Sequence, residues 1–526
     1  MTRTTSMRSA LALVTLLPMM ASASIPIAHC RPGDTTESGI QGSVTQAEID
    51  NGTVTKGFNC NADIVGQYQG EGASWQLTAW KNCAYFDQRR VTTLAHPGTA
   101  VVDVTDPAHP VPTVWLSENA MLDPWESLKV NPQRQLLAAT EQGRNGFAIY
   151  DISADCKNPV LKFSAPIVGN IGHTGQWAPD GKTYYVTPLR ASPSVIVIDT
   201  SDETNAKLIP CGQGTPGCNT QGFYVNPATG PNGNAISPVV HDLEFSKDGN
   251  TAYLATTGTP NGLVILDVSD FQQRKPNPGF RIIGSLGWND GSRGAQNALP
   301  ILIKGKPFIL FSDESGAQAA GCAAGMSANG FARLIDISDP TKPTTTAKLI
   351  LDVNDPSYCT QMAASQAAGQ ATRVTANGPS FGFSSHYCNV DDADDAKIAA
   401  CSYFSAGWRF FDISDPNNVR EIAYLKPPAQ GTKVLLGSQY ANSAGATWVR
   451  PYDWATSKAS FPKDRGMTSG DIWITSQDNG FMVVKLSPNA TASVGGGCAS
   501  VDAGLGALVA LGLMQLLRRR KARAAA

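Results

Sequence analysis

The stretch Gly407-Trp-Arg-Phe-Phe-Asp412-Ile-Ser-Asp415-Pro decides the fold, because five other stretches of the chain repeat its pattern. They are Thr99-Ala-Val-Val-Asp103-Val-Thr-Asp106-Pro, Gly146-Phe-Ala-Ile-Tyr-Asp151-Ile-Ser, Ser194-Val-Ile-Val-Ile-Asp199-Thr-Ser-Asp202, Gly262-Leu-Val-Ile-Leu-Asp267-Val-Ser-Asp270 and Gly330-Phe-Ala-Arg-Leu-Ile-Asp336-Ile-Ser-Asp339-Pro. A seventh, Gly480-Phe-Met-Val-Val-Lys485-Leu-Ser, keeps the run but replaces the Asp. Each is an apolar, β-branched or aromatic run of strand length, bounded by turn residues. The Asp carboxylate is placed to accept backbone N–H groups just downstream, and a following Pro ends the pairing.

Working outward, the segments before these runs repeat as well. His173-Thr-Gly-Gln-Trp-Ala-Pro-Asp-Gly-Lys-Thr-Tyr-Tyr-Val aligns with His241-Asp-Leu-Glu-Phe-Ser-Lys-Asp-Gly-Asn-Thr-Ala-Tyr-Leu. Both read as strand, Asp-Gly turn, strand. A further strand follows each Asp corner, as in Arg281-Ile-Ile-Gly-Ser-Leu and Glu421-Ile-Ala-Tyr-Leu. Four-stranded units repeated seven times predict an all-β, seven-bladed β-propeller. The last unit stops at Leu486 without a fourth strand, while Ile64-Val-Gly-Gln-Tyr68 reads as an outer strand with nothing before it. Pairing the two closes the ring and removes an exposed edge. Insertions at 212–237, 314–329, 354–385 and 429–470 are rich in small and polar residues and belong on the faces. No long 3.6-residue periodicity offers an α/β alternative.

The repeat, with its apolar strand and Asp-Ile/Val-Ser-Asp-Pro ending, resembles the LVIVD repeat family of bacterial and archaeal surface propellers over roughly 64–487. That resemblance implies the fold and little chemistry.

Both termini read as sorting signals. Arg3 and Arg8, the apolar run from Ala10 to Met20 and Ala21-Ser22-Ala23 form a secretion signal over 1–23. At the other end, Cys498 precedes an apolar stretch from Ala503 to Leu517 and the basic cluster from Arg518 to Arg523. The layout resembles the C-terminal sorting tags of myxobacterial surface proteins, which implies Cys498 as the cleavage and lipid-attachment point. A plain membrane anchor is the alternative, with the basic tail cytoplasmic. The expected organisation is signal 1–23, extension 24–62, propeller 63–487, linker 488–498 and anchor 499–526, which implies a secreted, surface-tethered monomer.

Without the two terminal segments, 34 Lys and Arg stand against 42 Asp and Glu, so the body carries about −8. No basic face is advertised, which excludes nucleic acid as an expected partner. Setting Cys498 aside leaves ten of the 11 Cys, an even number that suits disulfides in an oxidising space. Cys211 with Cys218 and Cys388 with Cys401 are the pairs that spacing suggests; Cys30, Cys60, Cys83, Cys156, Cys322 and Cys359 stay unassigned.

Candidate chemistry rests on histidine. His173, His241 and His386 open the inner strands of blades three, four and six, where propeller strands start around the central channel. Three neutral imidazoles, with Asp242 or Glu244 nearby, suit zinc, copper or iron. The selenium-binding/methanethiol oxidase proteins are similar in the limited sense of a propeller with His-bearing strands. The competing reading is a repeated His that bonds the neighbouring blade, since Trp125 and Gln296 hold the equivalent places. His96 and His109 read as surface residues. Asp391-Asp392-Ala393-Asp394-Asp395 reads as a solvated hairpin turn, lacking the Gly and distal Glu of a calcium loop. Trp75, Trp80, Trp125, Trp288, Trp408 and Trp448 line either a groove or the inter-blade core. No Gly-x-Ser-x-Gly, Walker or His-Glu-x-x-His motif occurs.

Two functions follow. The first is a surface binding or adhesion propeller for a protein, glycan or small-molecule ligand. The alternative is a metal-dependent extracytoplasmic oxidase or hydrolase using the three His.

Overall fold

Each Asp-ended run becomes the third strand of an antiparallel sheet, and seven such sheets stand in a ring as a β-propeller. The computed structural model describes residues 24–495 apart from 89–94, 168, 170, 216, 232, 259, 368–372, 376–377, 430–451, 468–470 and 493. Residues 1–23, Cys498, the segment 499–526 and Trp448 lie outside the described residues. Blade 4 shows the unit. Val240–Phe245, Thr251–Thr256, Asn261–Asp267 and Arg281–Trp288 pair in that order from the channel outward. Blades 1, 2, 3 and 5 repeat this order, and blade 6 adds a fifth, outermost strand, Phe58–Cys60, from the N-terminal segment.

The seventh blade is split between the chain ends. Ala62–Tyr68 pairs with Gly480–Leu486, which pairs with Ile472–Ser476. Bridges from Ala455 and Ser460 supply the innermost position. The missing Asp of the seventh repeat finds its reason here. Register sets Asp63 of the closing strand opposite Lys485, the reverse of Asp267 opposite Arg281 and Asp412 opposite Arg420.

Third strands read as unbroken apolar runs because both faces of each sheet are covered by neighbours. Leu263, Val264, Ile265 and Leu266 are all buried, alternately toward the blade 3 side and the blade 5 side. The Asp corners form as the sequence predicts. The backbone N–H of Thr105, Ser153, Ser201, Ser269, Ser338 and Ser414 donates to Asp103, Asp151, Asp199, Asp267, Asp336 and Asp412, at 2.7–3.0 Å.

These corners also couple blades. The outer strand bulges beside the third strand, and a glycine at the bulge lies under the Asp-Pro corner of the next blade. A Cβ on Gly284 would lie 2.1 Å from Pro340 O, and one on Gly66 would lie 1.9 Å from Pro107 O. Nothing larger than glycine fits at either position.

Five disulfides join Cys30–Cys60, Cys83–Cys156, Cys211–Cys218, Cys322–Cys359 and Cys388–Cys401. The two spacing-suggested pairs are among them, and this usage fits an extracytoplasmic compartment. Among the described residues, no helix is long and apolar enough to cross a membrane.

Candidate metal centre

The first strands converge on the ring axis, so whatever residue opens each strand faces the same small space. His173 stands just before Thr174–Trp177, His241 lies within Val240–Phe245, and His386 stands two residues before Cys388–Val390. They are 8 %, 3 % and 1 % exposed. All three surround a carboxylate from blade 2, Glu126, itself 2 % exposed.

His173 Nε2 lies 3.2 Å from His241 Nε2, and each lies 3.4 Å from Glu126 Oε2. A divalent ion with ligands about 2.1 Å away in tetrahedral geometry sets its ligand atoms about 3.4 Å apart. The triangle therefore has the edge lengths of a ligand set. His386 takes the other carboxylate oxygen, its Nε2 3.1 Å from Glu126 Oε1. It stands outside the compact group, whose ligand atoms come from Glu126, His173 and His241. The structure thus brings all three sequence-named histidines to one carboxylate, two of them into direct mutual contact.

The far side of each ring is fixed by the scaffold. His241 Nδ1 donates to Gln296 O at 3.2 Å, and His386 Nδ1 donates to Thr456 O. A carbonyl only accepts, so Nδ1 carries the proton in both rings and a neutral ring presents its lone pair at Nε2. His173 Nδ1 lies 3.2 Å from the Gln142 side-chain amide, whose Oε1 has no partner among the described residues. Turning that amide over lets Oε1 accept from Nδ1 and gives His173 the same tautomer.

Charge preferences at the site conflict. Burial, with His241 beside it, pushes His173 down to about 3, and burial also lowers His241, so both imidazoles are neutral near pH 7. Burial works against the Glu126 carboxylate, yet His241, His386 and His173 around it hold it below the usual carboxylate range. Gln296 Nε2 donates to it at 2.9 Å and Thr174 Oγ1 at 3.2 Å. Glu314 shares the pocket wall, and burial followed by Glu126 and Asp313 raises it well above the ordinary range.

The site opens into a cavity of about 360 Å³. Trp75 and Trp125, ring centroids 5.0 Å apart, and Phe381 form its apolar wall, with exposed Arg190 at the rim. Phe404 and Trp454 pack behind them. Phe381, Trp454 and Thr456 come from the inserted segments 354–385 and 429–470, so insertions supply part of the site.

Glu126 is the residue that sequence reasoning missed. It follows Trp125, which aligns with the histidines, and the repeat gives it no counterpart. A left-handed turn at Trp125, φ +51°, lets both residues line the pocket. Asp242 and Glu244, expected beside the histidines, face elsewhere. Asp242 Oδ2 accepts from Asn297 Nδ2 at 2.9 Å, and Glu244 Oε1 pairs with Lys458 at 2.7 Å. Strand alternation turns Asp242 off the side that His241 presents, and Glu244 lies three residues further along the channel.

The other candidates are structural. Asp391 Oδ1 accepts from the N–H groups of Lys397 and Ile398 within the blade 6 hairpin, and Asp394 pairs with Lys247 at 2.8 Å. His96 stacks on Trp115 and His109 pairs with Asp106, both at the surface. Trp288 covers the Arg333 guanidinium, and Trp408 is wholly buried between blades.

The LVIVD repeat family model matches residues 246–271, the second and third strands of blade 4 with their Asp corner. The chain carries an LVIVD repeat. No curated protein matches it. Among solved structures, it is similar to the Myceliophteria thermophila Cps50 (Swd1) β-propeller domain at 10 % identity, covering 80 % of this chain and 98 % of that one, TM-score 0.47. It is also similar to Kuenenia stuttgartiensis hydrazine synthase at 13 % identity, covering 66 % and 78 %, TM-score 0.40. Pseudomonas aeruginosa periplasmic gluconolactonase PpgL is 15 % identical over 53 % and 70 %, TM-score 0.36. At these values the likenesses say nothing about activity.

Proposed function

We propose that the channel mouth is the centre of a metal-dependent extracytoplasmic enzyme, with Glu126, His173 and His241 as ligands and His386 held against the same carboxylate. One observation carries the reading. His173 Nε2 and His241 Nε2 face each other at 3.2 Å and the Glu126 carboxylate at 3.4 Å, His386 Nε2 lies 3.1 Å from the same carboxylate, and backbone carbonyls fix the His241 and His386 rings in direction. With the proton on Nδ1 of each ring such a set is repulsive, and a single divalent cation among its members removes the conflict. Imidazole nitrogen with carboxylate oxygen suits zinc, copper or iron. A bound ion supplies a Lewis acid there, and the aromatic wall and Arg190 receive a small, partly apolar, anionic or polar substrate. Residues 1–23 supply the export signal, and Cys498 with the segment 499–526 supplies surface attachment.

Elemental analysis of purified protein tests the centre. The expected result is about one transition-metal ion per chain, lost in the double variant His173→Ala/His241→Ala while the far-UV spectrum is kept. Metal-free wild type, or unchanged metal in the double variant, overturns the reading.

A binding module remains the second reading, favoured by a separate cavity of about 470 Å³ whose wall includes Phe245, Tyr253, Ile301, Phe308 and Ile337. Metal-free wild type that binds a partner through this cavity is what that reading requires.

A further inference from the structure

Each residue of the metal centre has a counterpart three positions further along the same first-strand segment. Glu126 is followed by Lys129, His173 by Gln176, His241 by Glu244 and His386 by Asn389. Three residues of strand span about 10 Å, so these side chains form a second layer of the channel. Lys129, Gln176 and Asn389 line a cavity of about 190 Å³, together with Lys458.

We propose that this far mouth of the channel is a second ligand site, taking a small carboxylate whose head group pairs with the Lys129 ammonium. Lys129 is 6 % exposed, and its Nζ has no hydrogen-bond or ion-pair partner among the described residues. Its nearest described interaction is with the face of the Tyr387 ring, 5.6 Å from the centroid. The neighbouring acids are engaged elsewhere. Glu244 is held by Lys458 and by Gln176 Nε2, each at 2.7 Å, and Asp242 by Asn297 at 2.9 Å.

Asp242 and Glu244 act on this buried ammonium without a direct ion pair to it, and an anion arriving from the cavity supplies a partner in contact. The rest of the lining selects a small amphiphile over a polyanion. Leu77, Val130 and Leu299 offer an apolar surface for a short chain, while Asn389 spends its amide on Ala459 O and on the Asp464 carboxylate of the same wall, each at 2.7 Å. Burial lowers the Lys129 ammonium from its ordinary range, against Asp242 and Glu244, so a carboxylate neighbour also restores its charge. The site stands independently of the metal reading.

Calorimetric titration with butyrate tests it. Saturable one-to-one binding is expected in the full chain, weakened about tenfold or more by Lys129→Met. The His173→Ala/His241→Ala variant is expected to bind butyrate as the wild type does. No saturation up to about 50 mM, or equal binding by Lys129→Met, overturns the proposal. So does binding that survives in Lys129→Met but disappears in the histidine variant, since the carboxylate then sits on the metal centre. A melting curve of Lys129→Met checks that the variant folds. Lys129→Gln serves as a second neutral variant with the same expected weakening.

Discussion

The outer corners of the blades and the mouth of the channel use the same strands in opposite ways. At the corners, six blades place an Asp at one position, and all six carboxylates accept the same downstream N–H. At the channel mouth the corresponding positions carry Trp125 with Glu126, His173, His241, Gln296 and His386. The corners repeat because each blade needs the same stop and the same contact with the blade before it. The mouth varies because side chains from different blades meet there, and one site needs different groups from each. In this chain repetition marks architecture, and departure from repetition marks the candidate chemistry.

The sharpest break of that comparison is Glu126→Gln. It keeps shape and removes the charge that faces all three histidines. Metal affinity is expected to fall about a hundredfold, read by competition with a chelator, with little change in melting temperature. An equal loss of metal from a corner variant would erase the distinction between the two regions.

Next in size is Gly284→Ala at the blade 4 bulge. A Cβ there would sit 2.1 Å from Pro340 O, so strand or corner must move. A loss of about 2–3 kcal/mol in denaturant unfolding is expected, with metal content unchanged. Wild-type stability in this variant would show that the corner does not lock neighbouring blades.

The smallest effect belongs to a single corner. Asp336 accepts from Ser338 N–H at 2.7 Å and is half-buried, so Asp336→Ala is expected to cost about 1 kcal/mol. In a chain of this size that shifts the melting temperature by about 2 °C or less, with metal binding intact.

Much of this molecule was legible before its structure. Seven like strand runs, six of them ending in Asp, with Asp-Gly hairpins before two of them, specify the ring, since strand patterning and turn chemistry are local. The split blade was legible too, because an orphan outer strand at one end and a missing one at the other have a single economical pairing. So was the gathering of His173, His241 and His386, which follows from their common place in the repeat. Placement of Cys30, Cys60, Cys83, Cys156, Cys322 and Cys359 into pairs was not, because their separations of 30, 73 and 37 residues carry no local signal.

The residues by themselves therefore determined the fold, the closure and the imidazole positions, because each depends on patterns a few residues long repeated many times. Only the tertiary structure decided that Glu126 stands among the histidines. It also decided that Asp242 and Glu244 do not, that Gln296 and Thr456 fix the ring tautomers, and that inserted segments bring Phe381 and Trp454 to the site. Those facts depend on a single left-handed residue, on strand alternation and on contacts between blades distant in sequence. None of these is encoded in the repeat.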